Sequence, residues 1–286
     1  MKIGDTVVRK SYGKDITFKI IDIKETDGDT VYTLKGINLR VIADAPVDDL
    51  EEVVENTLGE KEKILNRKVN NSIKNIMVGR IDVSKSYRGP KVSVNKELSF
   101  GRPGKILHVD GDAEYLEVCL KVYKKLELDV VGKVIPEKDQ PIEVLKLVRQ
   151  IKPDIVVITG HDAITKGTKD FLDINNYRNS KFFVDTVSEL RNYEPNYDDL
   201  VIFAGACQSH YEAILDAGAN FASSPSRVLI HCLDPVFVCE KIAYTNIEKV
   251  VSIQEALENT ITGTKGIGGL QTRGKYREGF PKSTYA

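Results

Sequence analysis

Apolar and polar side chains alternate in short runs over residues 1–45, in "TVVRK", "ITFKIIDI", "TVYTLKG" and "NLRVIA", with breaks at Gly13, Asp27-Gly28 and Gly36. Period-two alternation between turn residues is the pattern of half-buried strands, and Asp-Gly supplies the positive φ angles of a tight hairpin. The pattern predicts a small N-terminal β-barrel, SH3-like in size. From Pro46 to Lys74 it changes to Glu, Lys, Leu and Val at helical spacing, which reads as a charged, exposed helix. "GRIDVSKSYRGPKVSVNKELSFGRPGK", Gly79 to Lys105, is rich in Gly, Pro, Ser and cations. It reads as a solvated connecting loop, the sharper alternative being a protease-sensitive loop carrying Arg80, Arg88 and Arg102. Residues 46–104 together are a charged helix and basic linker.

Over residues 105–286 apolar runs alternate with amphipathic segments. "KILHVD", "DVVGKVI", "DIVVITG" and "DLVIFAGA" predict four strands, with weaker ones at "ANFASSP" and "RVLIHCLDP". "DAEYLEVCLKVYKKLE", "PIEVLKLVRQIK", "KFFVDTVSELRNY", "SHYEAILDAG", "VFVCEKIAYT" and "SIQEALENTI" predict helices. In the first, Leu116, Cys119, Leu120 and Tyr123 share one face. Strands apolar on both faces, alternating with helices, call for an α/β fold with a doubly wound, mainly parallel sheet. The Gly-rich tail "TGTKGIGGLQTRGKYREG" neither follows a strand nor opens a helix as phosphate loops do, and reads as a flexible closing segment.

Composition narrows the function classes. With 41 Lys+Arg against 42 Asp+Glu, the 286-residue chain has no general attraction for nucleic acid or anionic lipid. The start "KIGDTVVRKSYG" lacks the apolar core of a secretory signal, and no run approaches the roughly 20 apolar residues of a membrane helix. A cytosolic protein is expected. Cys119, Cys207, Cys232 and Cys239 show no CxxC spacing, which argues against a disulfide framework or a zinc site.

In a doubly wound sheet the working residues lie beyond the carboxyl ends of the strands. There "ITGHDAITKG" places His161, and "FAGACQS" places Cys207. If the two strands are neighbours, their axes lie about 4.8 Å apart and imidazole and thiol can face each other. Ser209 and Glu212 have capping-box spacing, so a helix is expected to start just after Cys207 and to favour its thiolate. His161 can then serve as general base and acid in acyl transfer. Gly205 and Ala206 leave room for a substrate backbone, and the N–H groups of Cys207 and Asp162 are candidates for an oxyanion site. Asp112, Asp162, Asp170 and Asp173 lie near the same edge, where a carboxylate would pair with an Arg side chain before the cut bond. The alternatives are weaker. His210 is a second possible base, His108 reads as a core histidine, and His231 and Cys232, adjacent on a strand, would face opposite sides. No cofactor is called for.

An apolar block ending in a His/Gly pair, a spacer of about 50 residues and a second block ending in Ala-Cys resemble the caspase, gingipain and clostripain group of cysteine peptidases. In that group Gly follows the histidine, whereas here Gly160 precedes His161 and Asp162 follows it. From "GDTVVRKSYGKDITFKI" through "VVITGHDA" and "FAGACQSHYEAILDAGANFASSPSRVLIHCLDP" to "GTKGIGGLQTRGKYREG", the chain resembles the sporulation-specific YabG protease family. The resemblance implies a cysteine endopeptidase acting on spore coat or cortex-associated proteins in the mother cell of a sporulating bacterium, with possible association with the coat. Its rival is a non-catalytic spore-assembly module in which Cys207 merely packs; a nucleotide-binding protein using the Gly-rich tail is weaker. The oligomeric state is not readable from the sequence.

Overall fold

The computed structural model describes residues 1–26, 29–53, 60–86 and 99–283. It divides into two compact units, 1–72 and 73–286, and the division falls within helix α1, Glu60–Ser86.

In the first unit β1 (Thr6–Arg9), β2 (Thr17–Thr26), β3 (Asp29–Gly36), β4 (Ile42–Pro46) and β5 (Leu50–Glu52) form an antiparallel sheet in the order β4-β3-β2-β1-β5. The alternation in sequence becomes one buried face of Val7, Phe18, Ile20, Tyr32, Leu34, Ala45 and Leu50. A register shift between Ile20 and Asp22 leaves Ile21 at the surface and returns Ile23 to the core. The Asp27-Gly28 pair lies outside the described residues; on either side of it Thr26 is paired with Asp29. The sheet runs on to Glu52 where the sequence suggests a helix from Pro46, because a 3₁₀ turn at Val47–Asp49 returns the chain to pair with β1.

The second unit is built on a six-stranded, mainly parallel sheet. Its strands are β7 (Ile106–Asp110), β8 (Val130–Val134), β9 (Ile155–Thr159), β10 (Val201–Ala204), β11 (Phe221–Ser223) and an antiparallel edge strand, β13 (Ile267–Gly269), in the order β13-β11-β10-β9-β7-β8. Helices α2 (Ala113–Lys125), α3 (Gln140–Ile151), α4 (Ser180–Tyr193), α5 (Tyr211–Asp216), α6 (Asp234–Tyr244) and α7 (Ile253–Leu257) complete the unit. Val144 and Val148 of α3 and Phe183, Val187 and Leu190 of α4 pack with Leu107, Val109, Val156, Ile158 and Ile202. Tyr123 of α2 meets His108 across the opposite face. Cover on both faces explains why β7, β9 and β10 are buried at every position and mostly apolar, with His108, Asp110 and Thr159 as the polar exceptions. From β7 the chain steps out to β8, then crosses back to β9, so strand order reverses between β7 and β9.

Three predicted elements differ. The expected loop at 79–105 is regular at both ends, α1 continuing to Ser86 and β6 (Phe100–Arg102) pairing with β15 (Arg277–Gly279), while 87–98 lie outside the described residues. Arg80 is in the helix, Arg102 is in β6, and Arg88 lies outside the described residues. "RVLIHCLDP" forms no strand; residues 227–230 are irregular before α6. The Gly-rich tail, expected to be flexible, is held in strands: β13 on β11, β14 (Thr272–Arg273) on β12 (Val250–Val251), and β15 on β6. Glycine permits the first of these pairings, since a Cβ on Gly269 would collide with the Asn220 carbonyl.

Candidate active site at the carboxyl edge of the sheet

β9 and β10 are parallel neighbours with Ile158 opposite Ala204. His161 and Cys207 each follow three residues later, so they leave adjacent strand tips at the same level. β7 flanks β9 on its other side, with Asp110 opposite Thr159. That register brings Asp112 level with His161. Asp112 and His161 therefore flank the reversal of strand order, where open α/β sheets place their ligands, and Cys207 leaves the next strand along.

The His161 side chain is 22% exposed and stands among acidic and aromatic groups. Asp112 Oδ2 lies 3.6 Å from Nε2, Glu137 Oε1 lies 3.9 Å from Nδ1, and the Tyr115 ring centroid is 5.7 Å away. Asp112 also caps α2, its Oδ1 accepting the N–H groups of Glu114 and Tyr115. Glu137, in the 3₁₀ turn after Pro136, accepts the His161 backbone N–H at 2.6 Å. Its carboxylate rests against Gly111 and Gly160, where any Cβ would collide with it. Two glycines directly beyond two strand ends mark this close approach in the sequence, yet the reading from sequence missed Glu137.

Cys207 is 1% exposed. Its Sγ accepts the Ile230 N–H at 3.1 Å and lies 3.8 Å from the Ile230 carbonyl oxygen. Arg227 holds this covering segment through Tyr177 Oη at 2.7 Å and Glu212 Oε2 at 2.5 Å. The helix expected immediately after the cysteine starts later, at Tyr211, and is only six residues long. Its cap is His210, whose Nδ1 accepts the Ala213 N–H at 3.3 Å. Ser209 instead accepts the Ala206 N–H at 2.9 Å and gives its hydrogen to Asp162. A helix terminus therefore does not account for any activation of the thiol.

The four aspartates separate. Asp112 stands at His161. Asp162 is buried and accepts four internal hydrogen bonds; burial raises its carboxyl above the usual range, against the lowering effect of Ser180, Asn179, Ser209 and Ala163. Asp170 and Asp173 are exposed and each caps its own turn, through Leu172 N and Asn175 N. The remaining candidates have internal partners. His108 is fully buried between Tyr123 and Thr159, and His210 Nε2 meets the Leu172 carbonyl. His231 N–H and Asp234 bind each other, and Cys119, Cys232 and Cys239 are buried, Cys239 being pushed by burial up to about 12.

Among the described residues no helix is long and apolar enough to cross a membrane. The sequence model of the family described as YabG peptidase U57 matches residues 2–281. The chain is also similar to the sporulation-specific protease YabG of Bacillus subtilis (strain 168), with 44% identity over 283 residues that cover 98% of each chain.

Proposed function

The chain belongs to the YabG peptidase U57 family, and on that premise we propose that it is a sporulation-associated cysteine endopeptidase. Cys207 is the nucleophile and His161 the general base and acid. The observation that carries this reading is the parallel pairing of β9 with β10, which sends both residues from neighbouring tips at one level. His161 takes the thiol proton as sulfur attacks the scissile carbonyl, then returns it to the leaving amine. The Ile230 N–H directed at Sγ stabilises negative charge on sulfur, and the carboxylates of Asp112 and Glu137 stabilise the imidazolium. The N–H groups of Cys207 and Asp162 are the proposed oxyanion donors.

The second unit is read as caspase-like and the first as an SH3-like barrel. Spore coat or cortex-associated proteins are the proposed substrates, with Arg before the cut bond. None of the four aspartates is assigned to that Arg: Asp162 is engaged internally, Asp170 and Asp173 cap their own turns, and Asp112 caps α2 and faces His161. Burial of the thiol requires segment 227–230 to move aside for substrate to reach it. The same burial favours the one rival reading, a non-catalytic spore-coat assembly module. Incubation with coat extract separates them: the wild type should create new protein N-termini that the Cys207→Ala variant does not; no new termini from either would favour the assembly module, and the same new termini from both would reject Cys207 as the nucleophile.

A further inference from the structure

Asp162 directly follows His161, and its carboxylate is shared among three segments. Oδ1 accepts the N–H groups of Ala163 at 2.9 Å and Asn179 at 2.8 Å. Oδ2 accepts the hydroxyls of Ser209 at 2.9 Å and Ser180 at 2.5 Å. Each serine has one hydrogen to give, and it goes to the carboxylate; each oxygen is thereby left to accept. Ser209 Oγ takes the N–H of Ala206 at 2.9 Å, and Ser180 Oγ takes the N–H of His210 at 2.7 Å. Those two amides lie on either side of Cys207. Asn179 closes the circuit by donating its side-chain N–H to the His161 carbonyl at 2.7 Å.

One buried carboxylate next to the histidine thus grips the main chain before and after the cysteine, through two hydroxyls whose direction it dictates. We propose that Asp162 is a positioning residue that fixes the His161 loop against the Cys207 loop and so sets the distance between imidazole and thiol. This rests on the dyad reading above. The hydrogen bonds within a strand ladder end at the strand tips, and His161 and Cys207 both lie beyond them; without a further tie, two loops on adjacent strands are free to shift independently. A displacement of about 1 Å between reacting groups costs on the order of 100-fold in rate. Asparagine would put an amide donor where Oδ2 accepts both hydroxyls, so each serine would lose the acceptor for its hydrogen and could meet the amide only by turning that hydrogen away.

The test uses the full chain and two readouts: peptide hydrolysis, and the rate of iodoacetamide alkylation at Cys207 located by peptide mapping. Asp162→Asn should lower kcat about 100-fold with KM within about threefold. Ser209→Ala, which removes one of the two links, should lower it about tenfold, and Ser209→Thr, which keeps the hydroxyl, should recover most of that loss. On alkylation, His161→Ala should slow Cys207 in the wild-type background and have little further effect beside Asp162→Asn, since both changes break one interaction. Multiplying effects would overturn the proposal, as would folded Asp162→Asn or Ser209→Ala variants with kcat near wild type. If Asp162→Asn does not fold, Ser209→Ala and Ser209→Thr decide alone. Failure of the dyad itself reads differently: His161→Ala then changes neither hydrolysis nor alkylation.

Discussion

Removing the Glu137 carboxylate should slow the enzyme without weakening its grip on substrate. Glu137 Oε1 accepts the His161 backbone N–H at 2.6 Å and lies 3.9 Å from Nδ1, in a niche that exists because residues 111 and 160 lack a Cβ. A hydrogen bond to a charged acceptor in such a place contributes about 1.5–3 kcal/mol. At about 1.4 kcal/mol per factor of ten, its full loss from the transition state is about 10- to 150-fold in rate. Glu137→Ala should therefore fall into that range in kcat, with KM changed less than about threefold, because Glu137 faces the histidine and not a bound peptide. Glu137→Gln keeps an oxygen for the His161 N–H while losing the charge, and should fall less. The assay is initial-rate hydrolysis of a peptide that the wild type cuts, over a substrate series that separates kcat from KM. A folded Glu137→Ala variant with at least half the wild-type kcat would refute the placement of His161 by this residue.

Two further outcomes concern stability. Arg80 of α1 binds Glu240 through Nε at 3.0 Å and Nη2 at 2.6 Å, donates to the Leu126 carbonyl at 2.8 Å, and covers the Tyr244 ring with its guanidinium 3.4 Å from the centroid. Glu240 is buried and its carboxyl is raised by that burial, so Arg80→Ala should cost about 3–5 kcal/mol. The loss appears as a lower Tm that Glu240→Gln partly restores, and an unchanged Tm would contradict it. In the first unit, hydrogen bonds from the Ser11 hydroxyl and N–H, then from Arg9, hold the Asp49 carboxyl down to about 2. A depressed carboxyl stabilises the fold above its unfolded pKa of about 4, and that contribution is lost as pH falls through about 2. Asp49→Asn should flatten the loss of hydrogen-exchange protection in β1 and β5 between about pH 4 and 2; an unaltered profile would show that Asp49 is not its source.

The parallel sheet was legible because β7, β9 and β10 are short, mostly apolar runs separated by amphipathic helices. The proposed site rests on chain order, since His161 and Cys207 both come just after such strands. What escaped depends on contacts distant in sequence. Glu137 reaches the site only because Gly111 and Gly160 let a carboxylate approach two strand ends. Ser209 has the spacing of a helix cap, but its oxygen accepts the Ala206 N–H and its hydrogen goes to the buried Asp162, while α5 starts at Tyr211 with His210 as its cap. The glycines of the tail suggest freedom; Gly269 instead serves close pairing with β11, something composition does not reveal.

The central claim is that the Cys207 sulfur attacks substrate with His161 as its base. The most direct measurement is alkylation of the intact protein by a peptidyl chloromethyl ketone, followed by peptide mapping and hydrolysis in parallel. The account predicts a thioether on Cys207, none on Cys119, Cys232 or Cys239, loss of activity in step with that modification, and slower labelling in His161→Ala. Loss of activity with Cys207 unmodified, or undiminished hydrolysis by Cys207→Ala, would contradict it.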